Sequence, residues 1–262
     1  MSRQNSALES RLDREAKFHD SKYGGSGGPR HYGGGPRHYA VWPTQYVYAQ
    51  MRGALGDLQG KRVIEYGCGD GWITRDLAAM ARTVCTFDIS PEAVRQTINA
   101  LTAAQLLDRC SVDVMPAERL AYPADSFDVA VGFAILHHLD LASALAELHR
   151  VLKPGGVAYF AEPLASNPLI QAYRRLTPQF RTADEQPLLL RNLPDLMSSF
   201  RTLEHREFYL TALAAVALTY VPGGARVFPR LSATLHRVDR TLLRMIPVLG
   251  NWAWYTLIRI TK

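Results

Sequence analysis

The residues best suited to chemistry fall in two clusters: the histidine pair of Leu136-His137-His138-Leu139, and the acid and glycines of Glu65-Tyr66-Gly67-Cys68-Gly69-Asp70-Gly71. Histidine titrates near neutrality, so His137 or His138 could take a proton from a nucleophile as a general base. The same run also suits a helix start that packs and hydrogen-bonds backbone. Glycines at 67, 69 and 71 allow close approach of the backbone to a ligand, and Asp88 offers a carboxylate to ribose hydroxyls. Arg174 and Arg181 could clamp a carboxylate or phosphate, or equally pair with Asp184 and Glu185.

These residues need elements to hold them. KRVIEYG reads as a short buried strand and DGWITRDLAAMA as a helix. TVCTFDIS is a second strand, followed by a helix from Pro91 with Ser90 as its N-cap. CSVDVMP, FDVAVGFAIL and GVAYFAEP follow as strands, with LASALAELHRVL between the last two. Nearly all-apolar strands alternating with helices predict a parallel sheet covered on both faces. TLEHREFYL and WAWYTLIRI alternate like antiparallel strands, and between them lie apolar helical patches at about 210–221 and 230–246, split by VPGG. Glu162 ends the fifth strand and is expected to face the same cleft as the histidines and to bind the acceptor there.

Residues 1–41 stand apart. A polar helix over 4–20, with Leu8, Leu12 and Ala16 on one face, precedes GGPRHYG and GGPRHYA, too glycine-dense for regular structure. The Gly-rich stretch reads as a solvated linker or, with the helix before it, as a mobile lid whose Tyr32 and Tyr39 meet the acceptor. Residues 42–262 form the main domain, with a helical insert at about 210–250 that could roof the pocket, dimerise or touch a membrane.

The glycine turn reads E-x-G-x-G-x-G. A dinucleotide fingerprint would need glycine at 72, where Trp72 stands. The acid two residues before the first glycine suits a ligand with a positive amino group. Nicotinamide dinucleotides lack one near that turn, whereas S-adenosylmethionine carries one beside a sulfonium and an adenosine. A purely structural glycine turn is the bland alternative.

Over residues 60–165 the chain resembles class I S-adenosylmethionine-dependent methyltransferases of the small-molecule, ubiquinone/menaquinone-type branch. The resemblance rests on VIEYGCGDG, FDIS, AERLAYPADSFDVAVGFAILHHL and ELHRVLKPGGVAYFAEP. It implies a Rossmann-like α/β fold: a seven-stranded, mostly parallel sheet with an antiparallel C-terminal strand and helices on both faces. It also implies that Glu65, Gly67, Cys68, Gly69 and Gly71 hold the methionine moiety and Asp88 the ribose. Ile89 lies against adenine, and Phe133 faces the sulfonium. The family's adenine-binding Asp sits in a D-A-E-x-L stretch; here Pro116 replaces it ahead of Ala117 and Glu118, leaving the Ala117 backbone or Asp113 to substitute. The implied reaction is direct displacement of a methyl group onto an oxygen or carbon of a small lipophilic acceptor, without metal.

Composition narrows the alternatives. At 262 residues, 47% hydrophobic and 21% charged, the chain suits one large domain with an embellishment. The net charge of +6 is dispersed. That charge alone favours a nucleic-acid methyltransferase, and the N/D-P-P-Y/F/W tetrapeptide of base-amino methylases is replaced by FAILHH. A non-catalytic S-adenosylmethionine-binding partner protein is the other alternative. Three cysteines without zinc spacing predict free thiols in a reducing cytoplasm. The longest apolar run, 208–221, is too short to span a bilayer, so the expected membrane contact is at most peripheral. Monomer and homodimer stay open.

Overall fold

A computed structural model describes residues 3–24, 42–216, 218 and 224–262. Seven strands form one sheet in the order β3-β2-β1-β4-β5-β7-β6. They are β1 (Arg62–Tyr66), β2 (Thr83–Asp88), β3 (Cys110–Val114), β4 (Phe127–Phe133), β5 (Leu152–Pro163), β6 (Thr202–Phe208) and β7 (Tyr255–Thr261). The first five pair in parallel, and β7 runs antiparallel to both β5 and β6. Because β1 has β2 on one side and β4 on the other, the chain reverses its winding there. Loops leaving the two strands diverge and open a crevice beyond their carboxyl ends.

The helices are α1 (Arg3–Tyr23), α2 (Trp42–Leu55), α3 (Trp72–Met80), α4 (Pro91–Ala103), α5 (Leu141–Val151), α6 (Pro168–Leu176), α7 (Leu193–Leu196), α8 (Leu213–Val216) and α9 (Gly224–Met245). Local chemistry starts several of them. Ser90 Oγ accepts the Ala93 N–H at 3.1 Å ahead of α4, Asp140 Oδ1 that of Ser143 at 3.0 Å ahead of α5, and Asn167 Oδ1 those of Leu169 and Ile170 ahead of α6. Pro91 and Pro168 occupy first-turn positions, where the absent N–H has no intrahelical partner to lose.

Both faces of the sheet are buried. Adjacent residues Val63 and Ile64 are fully covered on opposite sides, Val63 with α2 and α3, Ile64 with α5. Phe160 is fully buried edge-on to Tyr66, a burial that stabilises the fold by roughly 1.5–3 kcal/mol. Its partner across the ladder is Gly132, where a Cβ would come within 2.5 Å of the ring.

The structure departs from the sequence reading in two places and narrows it in a third. Strand β3 is not uniformly apolar: it is an edge strand with only one covered face. The expected patches at 210–221 and 230–246 become the short α8 and a single α9 that starts at Gly224 and carries Pro229 inside it. Of the options left open for the insert, its described residues do not roof the pocket. Asp239 of α9 accepts the N–H groups of Leu210, Thr211 and Ala212, and His236 stacks on Tyr46 at 3.5 Å, so the helix is fastened behind α2 and β6. None of its described residues lines either cavity at the crevice.

Candidate active site

Strand β1 ends in the glycine turn. Gly67 and Cys68 both donate to Phe87 O at the end of β2, at 3.1 and 3.0 Å, which locks the turn against the neighbouring strand. Gly67 sits at φ 75° and Gly69 at φ 54°, left-handed conformations that glycine adopts without strain. A Cβ on Gly67 would stand 2.9 Å from Ile135 Cδ1. Asp88 Oδ2 accepts the Gly69 N–H at 3.1 Å and Oδ1 that of Ser90 at 3.0 Å, so this carboxylate organises the loops on both sides of the crevice. The Cys68 thiol is buried and its pKa raised by that burial, which keeps it unreactive.

Glu65 is buried under the turn. Its Oε2 accepts the hydroxyls of Thr74 at 2.6 Å and Thr86 at 2.8 Å, while Oε1 has no partner among the described residues. Burial pushes its carboxyl up to about 8, even though both hydroxyls favour the charged form. Glu118 repeats the pattern: Oε1 accepts the Asp140 N–H at 2.9 Å, Oε2 is buried without a partner among the described residues, and burial raises the carboxyl's pKa. Both acids line one cavity of about 960 Å³, counting its open mouth, together with Asp88, Ile89, Ala117 and Phe133. Asp113, on the edge strand, does not join them; its Oδ2 accepts the hydroxyls of Ser111 and Tyr122.

Helix α1 closes this cavity from above, with Leu12, Glu15, His19, Lys22 and Tyr23 on its walls. Asp20 Oδ1 accepts the Ser90 hydroxyl at 2.5 Å and the Glu92 N–H at 3.2 Å at the start of α4. Arg11 donates to His138 O at 2.7 Å, and Arg14 makes a two-pronged pair with Asp184 at 2.8 and 2.9 Å. Sequence reasoning found the covered face of α1, since Leu12 lies on the cavity wall and Leu8 and Ala16 are partly covered, but it missed the polar residues that share that face. The pattern Glu15, His19, Tyr23, four residues apart, was the available signal of a functional face on a polar helix. Tyr32 and Tyr39 lie outside the described residues.

The two histidines occupy a 3-10 turn, Leu136–His138, after Ala134, which is held at φ 52°. Glu162 lies beneath them. Its Oε1 accepts the N–H groups of Ile135 and Leu136 at 2.8 and 2.9 Å, and Oε2 meets His137 Nδ1 at 2.8 Å. With no exposed surface, Glu162 cannot touch an acceptor, which corrects the expectation that it binds substrate. It positions His137 instead. Burial lowers the imidazole to about 4 and raises the Glu162 carboxyl to about 7. The two backbone donors favour the carboxylate, so Nδ1 of neutral His137 donates to it and Nε2 keeps a lone pair.

His138 is placed differently. Its Nδ1 meets Glu15 Oε2 at 3.2 Å, and burial lowers its pKa. Burial opposes ionisation of Glu15, but hydrogen bonds from His138, His19 and Thr182 together hold its carboxyl far below the usual range. The donor atoms of Glu15, His19 and His138 lie within 4.8 Å of one another, as do those of His137, His138 and Glu185.

A second cavity, of about 1410 Å³ with its mouth, adjoins the first. Lys22, Ala134 and His138 line both, and His137 lines the second. The far walls come from the segment after β5 and from Trp254 and Tyr255 before and at the start of β7. Arg174 and Arg181 also line it, but Arg174 pairs with Glu185 at 2.9 Å, and Arg181 donates to the carbonyls of Arg174 and Thr177. Their guanidiniums are therefore largely engaged within the segment.

Comparison with known proteins agrees with this geometry. Residues 64–160 match the family model described as a methyltransferase domain. The ubiquinone biosynthesis O-methyltransferase of Nitrosococcus oceani is 35% identical over 108 residues, 40% of this chain and 44% of that protein. The chain thus spans less than half the length of this relative and about half or less of the other curated ones. Among solved structures, phosphoethanolamine N-methyltransferase 1 of Haemonchus contortus, in complex with phosphoethanolamine and S-adenosylhomocysteine, superposes with a TM-score of 0.64. It is 16% identical, and the match covers 97% of this chain and 49% of that one. The 4+2 cyclase SpnF superposes at 0.57 with 19% identity, covering 96% and 93%. The fold is the Rossmann-like α/β fold of class I methyltransferases. The resemblance to the small-molecule branch of that class is shown over the matched segment.

Proposed function

We propose that the chain transfers a methyl group from S-adenosylmethionine to an oxygen or acidic carbon of a small lipophilic acceptor. The observation that carries this reading is the pair of adjoining cavities, one walled by the glycine turn and Asp88, the other by His137, meeting at Ala134 and His138.

The residues present fit the cofactor. Glu65 Oε1 is a buried acceptor without a partner among the described residues, suited to an ammonium group, and Glu65 lines the cavity together with the glycine turn. Asp88 would take the ribose hydroxyls, Ile89 the adenine face, and Glu118 Oε2 the adenine amino group in place of the aspartate that Pro116 lacks. Bound there, S-adenosylmethionine supplies an electrophilic methyl carbon next to a good leaving sulfur. Phe133, packed by Trp72 and Tyr255, gives that centre an apolar wall. His137 Nε2 takes the acceptor's proton, and Glu162 stabilises the imidazolium that results. Displacement at a sulfonium needs no Lewis acid, so a chelator should leave turnover unchanged.

Residues 1–41 act as the lid and 42–262 as the catalytic domain in this reading, supported by the course of α1 across the cavity. The three free thiols suit a reducing cytoplasm. Calorimetry with S-adenosylmethionine and S-adenosylhomocysteine, then a labelled-methyl screen against lipid extracts, tests the proposal. Binding of both ligands with label appearing in a lipid fraction supports it. No binding of either ligand, or binding with no labelled product, overturns it.

A further inference from the structure

Eleven large apolar side chains are exposed among the described residues, and ten of them lie in 169–180 and 227–252. The eleventh, Val114, is on the opposite edge strand. Helix α6 buries none of its residues; Leu169 (68% exposed), Tyr173 and Leu176 (80%) share one face, and Phe180 follows. At the end of α9 and in the 3-10 segment Pro247–Trp252, Met245 (72%), Val248 (60%) and Trp252 are exposed as well. The two regions meet where Asn167 Nδ2 donates to Trp252 O at 2.6 Å.

Charge accompanies this apolar surface. Arg226, Arg230, Arg237, Arg240 and Arg244 are exposed on a single face of α9, beside Val227, Val238 and Met245. None of these arginines enters an ion pair among the described residues. The single acid of α9, Asp239, is buried against 210–212. A cationic stripe next to exposed leucine, methionine and tryptophan is the arrangement of a surface that lies in a lipid headgroup layer. An ordinary solvated face would not gather ten of eleven exposed apolar side chains.

We propose that this face docks onto an anionic lipid bilayer. Tyr173 and Phe180 belong both to the exposed face and to the wall of the second cavity, so the mouth of that cavity opens at the docked surface. The acceptor is therefore a lipid-soluble molecule taken from the membrane. This last point rests on the methyl-transfer reading, whereas the docking does not.

The test is flotation of the full chain with vesicles of phosphatidylcholine alone or mixed with phosphatidylglycerol, at low and high salt. The chain should float with the mixed vesicles, lose binding as salt rises, and bind phosphatidylcholine at least about tenfold more weakly. Leu169→Glu combined with Leu176→Glu should weaken flotation about tenfold or more and leave S-adenosylmethionine affinity intact. Val114→Glu should float like the wild type. Failure of the wild type to float, or unchanged flotation of the double variant, overturns the proposal. So does a dimer in solution that the leucine pair dissolves without any vesicle binding, since a second copy then covers the face. Flotation without any affinity for S-adenosylmethionine would leave the docking standing and remove the methyl-transfer reading.

Discussion

The hydroxyl of Tyr23, in the last turn of α1, lies 2.9 Å from the point where a Cβ on Gly69 would stand. Helix α1 and the glycine turn are thus in direct contact, and the missing side chain of Gly69 makes room for Tyr23. Gly69→Ala should therefore impair cofactor binding in two ways: backbone strain of about 1–2 kcal/mol at a left-handed position, and displacement of α1. Adding Tyr23→Ala should restore part of the loss. Calorimetry on the two single variants and the double variant measures the coupling, and strictly additive losses would show that the contact is incidental.

Asp88 both faces the cofactor cavity and accepts the N–H groups of Gly69 and Ser90. Asp88→Ala should weaken S-adenosylmethionine binding by roughly 1.5–3 kcal/mol, the worth of hydrogen bonds to a charged group. It should also lower the melting temperature, because two loop amides lose their acceptor. Unchanged affinity in calorimetry would remove Asp88 from the cofactor site.

Glu162→Gln keeps the shape and the acceptor oxygen for Ile135 and Leu136, but its amide nitrogen can only donate toward His137 Nδ1. The imidazole should then switch tautomer, with its lone pair turned away from the second cavity. Turnover should fall about 10²–10⁴-fold, as should that of His137→Ala, with cofactor affinity retained. Wild-type single-turnover rates in both variants would mean that alignment alone drives transfer.

His138 contacts Glu15 through its ring and Arg11 through its carbonyl, so it fastens α1 to the domain. His138→Ala should speed cofactor release in stopped-flow measurements more than it slows single-turnover chemistry. The reverse pattern would make His138, and not His137, the base.

Glu65 sets a pH dependence. Its folded-state pKa is raised from 4.5 to about 8. Between those values the unfolded chain gives up a proton that the folded chain keeps, so stability conferred by Glu65 is complete below the lower value and is lost as pH rises to the upper one. Urea unfolding of the wild type against Glu65→Gln should show the wild type losing ground from about pH 5 to pH 8. A ligand ammonium placed on Oε1 favours the ionised form, so binding should release a proton and strengthen across the same window. Identical pH profiles in the two proteins would sink this account.

How much of this was legible in the sequence depended on distance along the chain. The glycine turn, its flanking strand and helix and the cap at Ser90 are local, and Asp88 ends the next strand, whose Phe87 carbonyl takes the turn's amides. Short-range backbone geometry and hydrophobic periodicity determine such features, and the sequence alone sufficed for the sheet, its parallel core and the antiparallel end. Glu162 was legible as the end of a strand near the histidines. Its role was not, since only the pairing of β4 with β5 puts its carboxyl under His137 and leaves it no exposed surface.

The surfaces that cover one another were decided by the tertiary structure. Leu169, Tyr173 and Leu176 have the spacing of a core-facing stripe, yet α6 lies outside the core, whereas Glu15, on a polar helix, is buried over the cavity. A periodic pattern determines that a helix has an apolar or a polar face. What that face meets depends on contacts between segments far apart in sequence, such as Asp20 with Ser90 and Asn167 with Trp252. Those contacts form only when the whole chain packs, because their free energy lies in the burial and hydrogen bonding of both partners together.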